Sequence, residues 1–370
     1  MSWCRRSAAS QTSSEPPRRC PPSLDARARS CRFHHDPSIH RHQEPLFGHR
    51  TASCLRAIRI IKKQKLSTTK RSMKMSNSVL EHFGLMDNSG FGVDLNDRYA
   101  HDLVQRDAND ARRSLRSLLD RFLLVRVVQS TFTSEEAIQF AAIVGDILGD
   151  REVGTTSIGS KSAELKVLSS ARTESGTSIG DKGADAQVWH TDGSQRNQPN
   201  LYTILFAKKI PPNPPKTSFL SAYSLYETLP LDLKRTISKL QAVHSLHNRS
   251  QSVEAFFDGV AAPLEQRLEG PRHPLVRRHP NTNRPLLYMP RRRDALIEGM
   301  GEAQSRELME RLWAHVLVRT DFHSIALEEN DLVLFDNCAL LHNREGWDSK
   351  HDRTVLHLAI EGQAPEPMYR

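Results

Sequence analysis

The stretch Val188-Trp189-His190-Thr191-Asp192-Gly193-Ser194 decides how the rest of this 370-residue chain is read. An imidazole and a carboxylate two residues apart on an extended segment point the same way, because side chains repeat every second residue along a strand. His190 and Asp192 can therefore grip one metal ion together. A non-haem iron(II) centre needs two histidines and one carboxylate on one face of the metal, with the opposite positions open. His190-x-Asp192 supplies two of the three. The tripeptide alone is a weak signal, since His34-x-Asp36 repeats it in a basic, low-complexity segment.

Outward from the motif, Leu201 to Ala207 predicts a strand, stopped by Pro211-Pro212-Asn213-Pro214-Pro215, and Thr217 to Leu220 a second. Residues 149 to 187 are rich in Gly, Ser, Thr and Asp, which predicts a long mobile connection serving as a lid. Before it, Asp107 to Asp110 offer caps to a helix whose Leu115, Leu118, Leu119 and Phe122 fall at i, i+3, i+4 and i+7. That helix leads into a buried strand over 123–128, and Thr133-x-x-Glu136 is a capping box opening a second helix through Ile138, Ala142 and Ile147. Downstream, Leu233, Ile237 and Leu240 mark a short helix from near Pro230, and the polar, Pro-bearing residues 245 to 285 a second lid. Leu308, Leu312 and Val316 mark a helix outside a sheet.

Near the C-terminus, Leu332-Val333-Leu334-Phe335 is a strand with His342 just past it. The next strand alternates, so that Arg353, Val355, His357 and Ala359 share one face. An arginine on a mostly apolar face is expensive unless it meets an anion, so Arg353 calls for a carboxylate partner.

The whole chain narrows the function classes. Its 38% hydrophobic content suits a globular protein with a real core. No stretch approaches the roughly 18 consecutive apolar residues of a membrane helix, so no membrane partner is expected. Residues 1–75 carry 17 Lys and Arg against 4 Asp and Glu, more than the whole +9 excess, and the remainder is net acidic. This Arg-, Ser- and Pro-rich stretch predicts a disordered basic leader, followed by one domain over 76–366 and a tail over 367–370. The leader admits a mitochondrial transit sequence, or a non-native extension with Met73, Met75 or Met86 as the start. Its few aromatics, Trp3, Phe33 and Phe47, are too sparse for base stacking, and nucleic acid is not the expected partner. Four of the five cysteines lie in that segment; the body holds only Cys338, so no disulfide framework supports it and the cytoplasm is the expected compartment.

From about Asn88 to Gly362 the chain resembles the taurine dioxygenase/2,4-dichlorophenoxyacetate dioxygenase family of iron(II)- and 2-oxoglutarate-dependent oxygenases. The resemblance rests on Phe91-Gly92-Val93-Asp94-Leu95, the Trp189-His190-Thr191-Asp192 block, Ser221 through Pro230, and Leu287-Tyr288-Met289-Pro290-Arg291-Arg292. Asp336-Asn337-x4-His342 and Arg353, eleven residues after that histidine, complete it. The order and spacing of the blocks are specific where no single block is. The resemblance implies a mainly β fold with flanking helices, the double-stranded β-helix or jelly roll. It implies His190, Asp192 and His342 as iron ligands, Arg353 and Thr217 as the pair holding 2-oxoglutarate, and Phe335 as an aromatic residue lining the pocket. Fe(II), 2-oxoglutarate and O2 are the implied cofactors, and the implied activity is hydroxylation or another oxidation of an unactivated C–H bond, with release of succinate and CO2.

Departures bear on the substrate, a small molecule for which an anion is one expected class. In taurine dioxygenase an arginine four residues after the 2-oxoglutarate arginine binds the sulfonate; His357 stands there in this chain, which argues against taurine. Pro214-Pro215-Lys216 replaces the usual Gly-Gly-Asp before Thr217. Arg291 and Arg292, in a basic run with Arg293, are the candidate substrate contacts beside His357. Asp192 favours hydroxylation over halogenation, which requires a small residue at that position; desaturation, cyclisation and oxidative cleavage stay open, as does a homo-oligomer.

Overall fold

The computed structural model describes residues 83–86, 91–148, 166–171, 175, 183–247, 253–257 and 261–369. The leader over 1–75, with its His34-x-Asp36 motif, lies outside the described residues.

Strands are numbered in chain order. The larger sheet runs β1 (Phe83–Leu85), β2 (Val93–Leu95), β3 (Leu124–Val127), β14 (Leu332–Asp336), β6 (Tyr202–Lys209), β16 (Thr354–Ile360) and β4 (Lys166–Ser169), side by side in that order. Its β2–β3 pair is parallel and the other pairs antiparallel. The smaller sheet runs β13 (His323–Ala326), β7 (Lys216–Ser221), β15 (Leu340–Arg344) and β5 (Gln187–His190). Two three-stranded sheets accompany them: β11 (Pro285–Leu287), β10 (Val276–Arg278) and β17 (Glu366–Pro367), then β12 (Leu296–Ile297), β8 (Gln241–Val243) and β9 (Arg272–Pro274).

Alternation along the strands explains how the layers stack. On one face of the larger sheet, Tyr202, Ile204 and Phe206 of β6 join Leu332 and Leu334 of β14 and Val125 and Val127 of β3. Three helices, Asp97–Gln105, Ala108–Phe122 and Ser134–Ala142, cover that face with Leu103, Leu115, Leu118, Leu119 and Phe140. The residues between, Leu205, Ala207, Val333 and Phe335, face the other way and share a second cluster with Phe219 of the smaller sheet. The Phe219 and Phe335 rings meet across the gap at 5.1 Å. Two sheets closed on one core are the jelly roll that the resemblance implies. Each fully buried Leu, Val or Phe contributes about 1.5–3 kcal/mol. A helix cap contributes about 1 kcal/mol, so packing rather than capping binds the helices to the sheet.

Local chemistry sets the helix ends. Asp107 accepts from the Asn109 and Asp110 amides, and Thr133 and Glu136 form the expected capping box. Ala108–Phe122 ends at Leu123, whose φ of 62° turns the chain straight into β3. A leucine held there costs roughly 1–2 kcal/mol. The turn is fixed by Leu123 N–H on Leu119 O and by Asp336 N–H on Leu123 O, both at 2.8 Å.

Two expectations are corrected, and two placements are sharpened. Residues 149–187 contain β4, an edge strand whose Ser169 to Lys166 pair with Thr354 to His357 of β16; the ladder comes from a distant partner, invisible in local composition. Residues 245–285 hold β9, β10 and the helices Val253–Phe257 and Leu264–Arg267, with His273, Arg277 and His279 buried rather than solvated. His342 lies within its own strand β15, since Asn337 to Ala339 already turn the chain back after β14. Of the tail, Pro367 pairs with Arg277, and the Tyr369 hydroxyl meets that of Tyr226 at 2.9 Å. Among the described residues no helix is long and apolar enough to cross a membrane.

Candidate metal centre

His190 is the last residue of β5, and His342 of β15 is its direct cross-strand partner. Opposed residues on an antiparallel pair project from the same face, and the two rings lie 4.2 Å apart. A register shift follows between His342 and Arg344. Asp192, just past the end of β5, brings Oδ1 to 3.5 Å from His190 Nε2 and 3.7 Å from His342 Nε2. The three residues offer donor atoms all within 4.8 Å of one another. Donors about 2.1 Å from a shared metal sit about 3–3.6 Å apart, so this set fits one divalent ion.

Protonation favours metal binding. His190 Nδ1 lies 2.7 Å from Val188 O, which places its proton on Nδ1 and leaves the Nε2 lone pair facing Asp192. Burial lowers both imidazoles: His342 to about 3, reinforced by His190, and His190 in the same direction, reinforced by Arg291. Burial alone would raise Asp192, but His342, His190 and His357 together hold it well below the usual carboxylate range. Neutral imidazoles with an ionised carboxylate are the forms that ligate a metal.

The motif is braced by residues far away in sequence. The Asn337 Oδ1 accepts from Asp192 N at 2.8 Å, and its Nδ2 donates to Asp192 O and Asn200 O, both at 3.0 Å. Gly193 follows at φ 66°, and a Cβ there would lie 2.5 Å from Asn200 Oδ1. Thr203 Oγ1 donates to Asp192 Oδ2 at 3.2 Å, and His357 Nε2 lies 3.3 Å from the same oxygen. Phe335 packs edge-on against His342 at 5.0 Å. Sequence reasoning noted Asn337 only as part of a motif and missed Thr203; the inward-facing hydroxyl between Tyr202 and Ile204 was the available signal.

Arg353 precedes β16, 5% exposed, with its guanidinium 5.5 Å from the Trp347 ring centroid and Nε without a hydrogen-bond partner. Among the described residues no carboxylate pairs with it, and burial lowers it to about 10. Thr217 is buried on β7 opposite Arg344. Burial, then the charge of Arg353, lowers Arg344 to about 9, so two cations repel each other here. Of the basic run, Arg292 and Arg293 both pair with Glu310, Arg293 at 3.2 Å. Arg291 is half-buried, has no ion pair or hydrogen bond among the described residues, and is lowered to about 10 by burial, against which Asp192 and Asp294 act. The structure therefore brings His190, Asp192, His342, Phe335 and His357 together, keeps Arg353 and Arg291 unpaired, and commits Arg292 elsewhere.

A second donor group, His279, Asp336 and Cys338, is fully buried. Its atoms are already in use: His279 Nδ1 accepts from the Asn281 and Thr282 amides, His279 Nε2 lies 2.9 Å from Asp336 Oδ2, and Asp336 Oδ1 accepts from Ala339 N. It fastens the turn between β14 and β15.

Comparison with known proteins agrees with this geometry. The model of the "Taurine catabolism dioxygenase TauD, TfdA family" matches residues 88–359. An (S)-phenoxypropionate/alpha-ketoglutarate-dioxygenase of Sphingobium herbicidovorans is 28% identical over 184 residues, 47% of this chain and 62% of that one. The alignment thus spans less than two thirds of that relative. Pentalenolactone F synthase of Streptomyces arenae is 27% identical over 249 residues, 65% of this chain and 82% of that one. A crystal structure of a taurine dioxygenase from Burkholderia xenovorans shares the fold, with a TM-score of 0.58 and 22% identity over 78% of this chain and 94% of that chain. With the match running through the motif, the paired histidines and nearly all of β16, the chain belongs to the TauD/TfdA family.

Proposed function

We propose that this chain is an Fe(II)- and 2-oxoglutarate-dependent dioxygenase that hydroxylates, or otherwise oxidises, an unactivated C–H bond of a small organic anion, releasing succinate and CO2. The observation that carries the reading is the meeting of His190 and Asp192, at the end of β5, with His342 of β15, their donor atoms all within 4.8 Å of one another. Bound iron(II), with 2-oxoglutarate and O2, supplies the oxidising power. The protein's own residues bind, orient and exclude water. His190 and His342 present Nε2, and Asn337 fixes the backbone that carries Asp192. Arg353, a buried cation lacking an acid, suits the distal carboxylate of 2-oxoglutarate, with the Thr217 hydroxyl as a further donor. Phe335 and Phe219 close the inner side of the centre with apolar surface.

Arg291 supports the anionic substrate. It is an unpaired guanidinium whose field reaches His190, His342 and Asp192. Relatives named for substrates as different as phenoxypropionate and pentalenolactone F are similar to this chain, which supports a substrate chosen by residues outside the triad. The one cysteine of the described residues, Cys338, is free and buried, which supports a reducing, cytoplasmic setting.

Anaerobic addition of Fe(II) and 2-oxoglutarate tests the reading. The wild type is expected to develop the visible metal-to-ligand charge-transfer band, and His190→Ala to lose it. Small carboxylates, sulfonates and phosphates are then screened in air for stimulated succinate release. A folded wild-type protein with no band would sink the proposal and leave a jelly-roll binding protein in its place.

A further inference from the structure

The two oxygens of the Asp192 carboxylate have different surroundings. Oδ1 faces both imidazoles, at 3.5 and 3.7 Å. Oδ2 faces away from them, toward Thr203 Oγ1 at 3.2 Å and His357 Nε2 at 3.3 Å. These two donors stand on neighbouring strands. In the β6–β16 ladder His357 is opposite Leu205, and Ala359 is opposite Thr203, so Thr203 and His357 are diagonal neighbours on the inner face. A hydroxyl and an imidazole so placed converge on one oxygen atom.

A carboxylate can meet a metal through one oxygen or both. Two oxygens would take up a coordination position that an oxygenase of this ligand set leaves open for its other ligands. An oxygen already accepting two hydrogen bonds is held out of the metal's first sphere, and the rotation of the carboxylate about Cβ–Cγ is fixed with it. We infer that His357 is a positioning residue: with Thr203 it holds Asp192 Oδ2, so that Asp192 offers Oδ1 alone to the metal. The inference rests on the metal centre proposed above. It reassigns the position from which a substrate clamp was expected. The Nε2 of His357 is consumed by Asp192, so the positive partner of an anionic substrate has to come from elsewhere, and Arg291 is an unpaired cation whose charge acts on Asp192.

The test uses the full-length chain as wild type, His357→Leu, His357→Gln and Thr203→Val, each checked for folding by circular dichroism and thermal melting. A glutamine carries its amide nitrogen about where the imidazole carries Nε2 and keeps the donor; leucine removes it. Mn(II) affinity is measured by titration, and the energy of the visible band in the anaerobic Fe(II)/2-oxoglutarate complex is recorded. Outer partners of metal ligands are typically worth about 10- to 100-fold in metal affinity. His357→Leu is expected to weaken Mn(II) binding by about tenfold or more and to move the band, His357→Gln to restore both, and Thr203→Val to weaken binding in the same direction. His357→Leu binding Mn(II) like wild type with an unmoved band overturns the inference, as does His357→Gln behaving like His357→Leu. If His190→Ala abolishes Mn(II) binding while His357→Leu preserves it, the metal centre stands and only the role of His357 falls. A wild-type chain that takes up no Mn(II) removes the metal centre and this inference together.

Discussion

Arg353 sits at 5% exposure with Nε unpartnered and Arg344 beside it. Its guanidinium can take a carboxylate through two parallel hydrogen bonds, which an ammonium cannot reproduce. Arg353→Lys is expected to raise the dissociation constant for 2-oxoglutarate about tenfold, and Arg353→Ala about a hundredfold or more, since each tenfold step is about 1.4 kcal/mol. Titrating the visible band at fixed Fe(II) measures both; unchanged binding in Arg353→Ala would separate this residue from the co-substrate. The burial of Arg353 beside β16 was legible in the sequence, because the apolar alternation that follows it is local. The bracing of Asp192 was not legible. Asn337, Thr203 and His357 reach it through hydrogen bonds between strands whose pairing no local pattern announces. The basic run was ambiguous for the same reason: Glu310 takes Arg292 and Arg293 and leaves Arg291.

The helix Ser134–Ala142 opens on a reciprocal cap, with Thr133 Oγ1 accepting from Glu136 N at 3.1 Å and Glu136 Oε2 from Thr133 N at 2.8 Å. Thr133→Ala removes the hydroxyl, and a loss of about 1 kcal/mol of stability is expected, read as a lower urea midpoint with an unchanged slope. No change in midpoint would mean that packing of Phe140 and Ala141 alone sets the helix. Elements whose cause is local were read correctly: this capping box, the i, i+3, i+4, i+7 stripe of Ala108–Phe122, and strands β6, β7 and β14. Elements whose cause is distant were missed. Strand β4 has little apolar pattern of its own and exists by hydrogen bonding to β16. Strands β9 and β10 bury His273 and Arg277, polar residues that look solvated until their partners are seen. His342 was placed only as lying past the strand over 332–335, because its own strand is short and begins directly after a tight turn.

Across the whole molecule, buried histidines couple folding to pH. His273 Nε2 lies 2.9 Å from Arg196 O and 3.1 Å from Ser194 O, which ties β9 to the turn after Asp192. Burial lowers it to about 4, against the lifting effect of those carbonyls, and burial moves His244 the same way. In the unfolded chain a histidine titrates near 6.5. Between about pH 6.5 and 4 the unfolded chain therefore binds a proton that the folded one refuses, so this stability is complete above pH 6.5 and lost as pH falls toward 4. The urea midpoint is expected to drop across that window and to drop less in His273→Gln; a midpoint constant from pH 7 to 4 would contradict the account. The direct pairing of His190 with His342, and the Asn337 bridge to Asp192, carry a different consequence, one of time. His190 and His342 hang on paired backbone, and Asp192 on the turn that Asn337 fastens beside them. An ion held there is expected to leave on the slow timescale of strand opening rather than with the flicker of a loop, which its rate of loss to an excess of chelator would read.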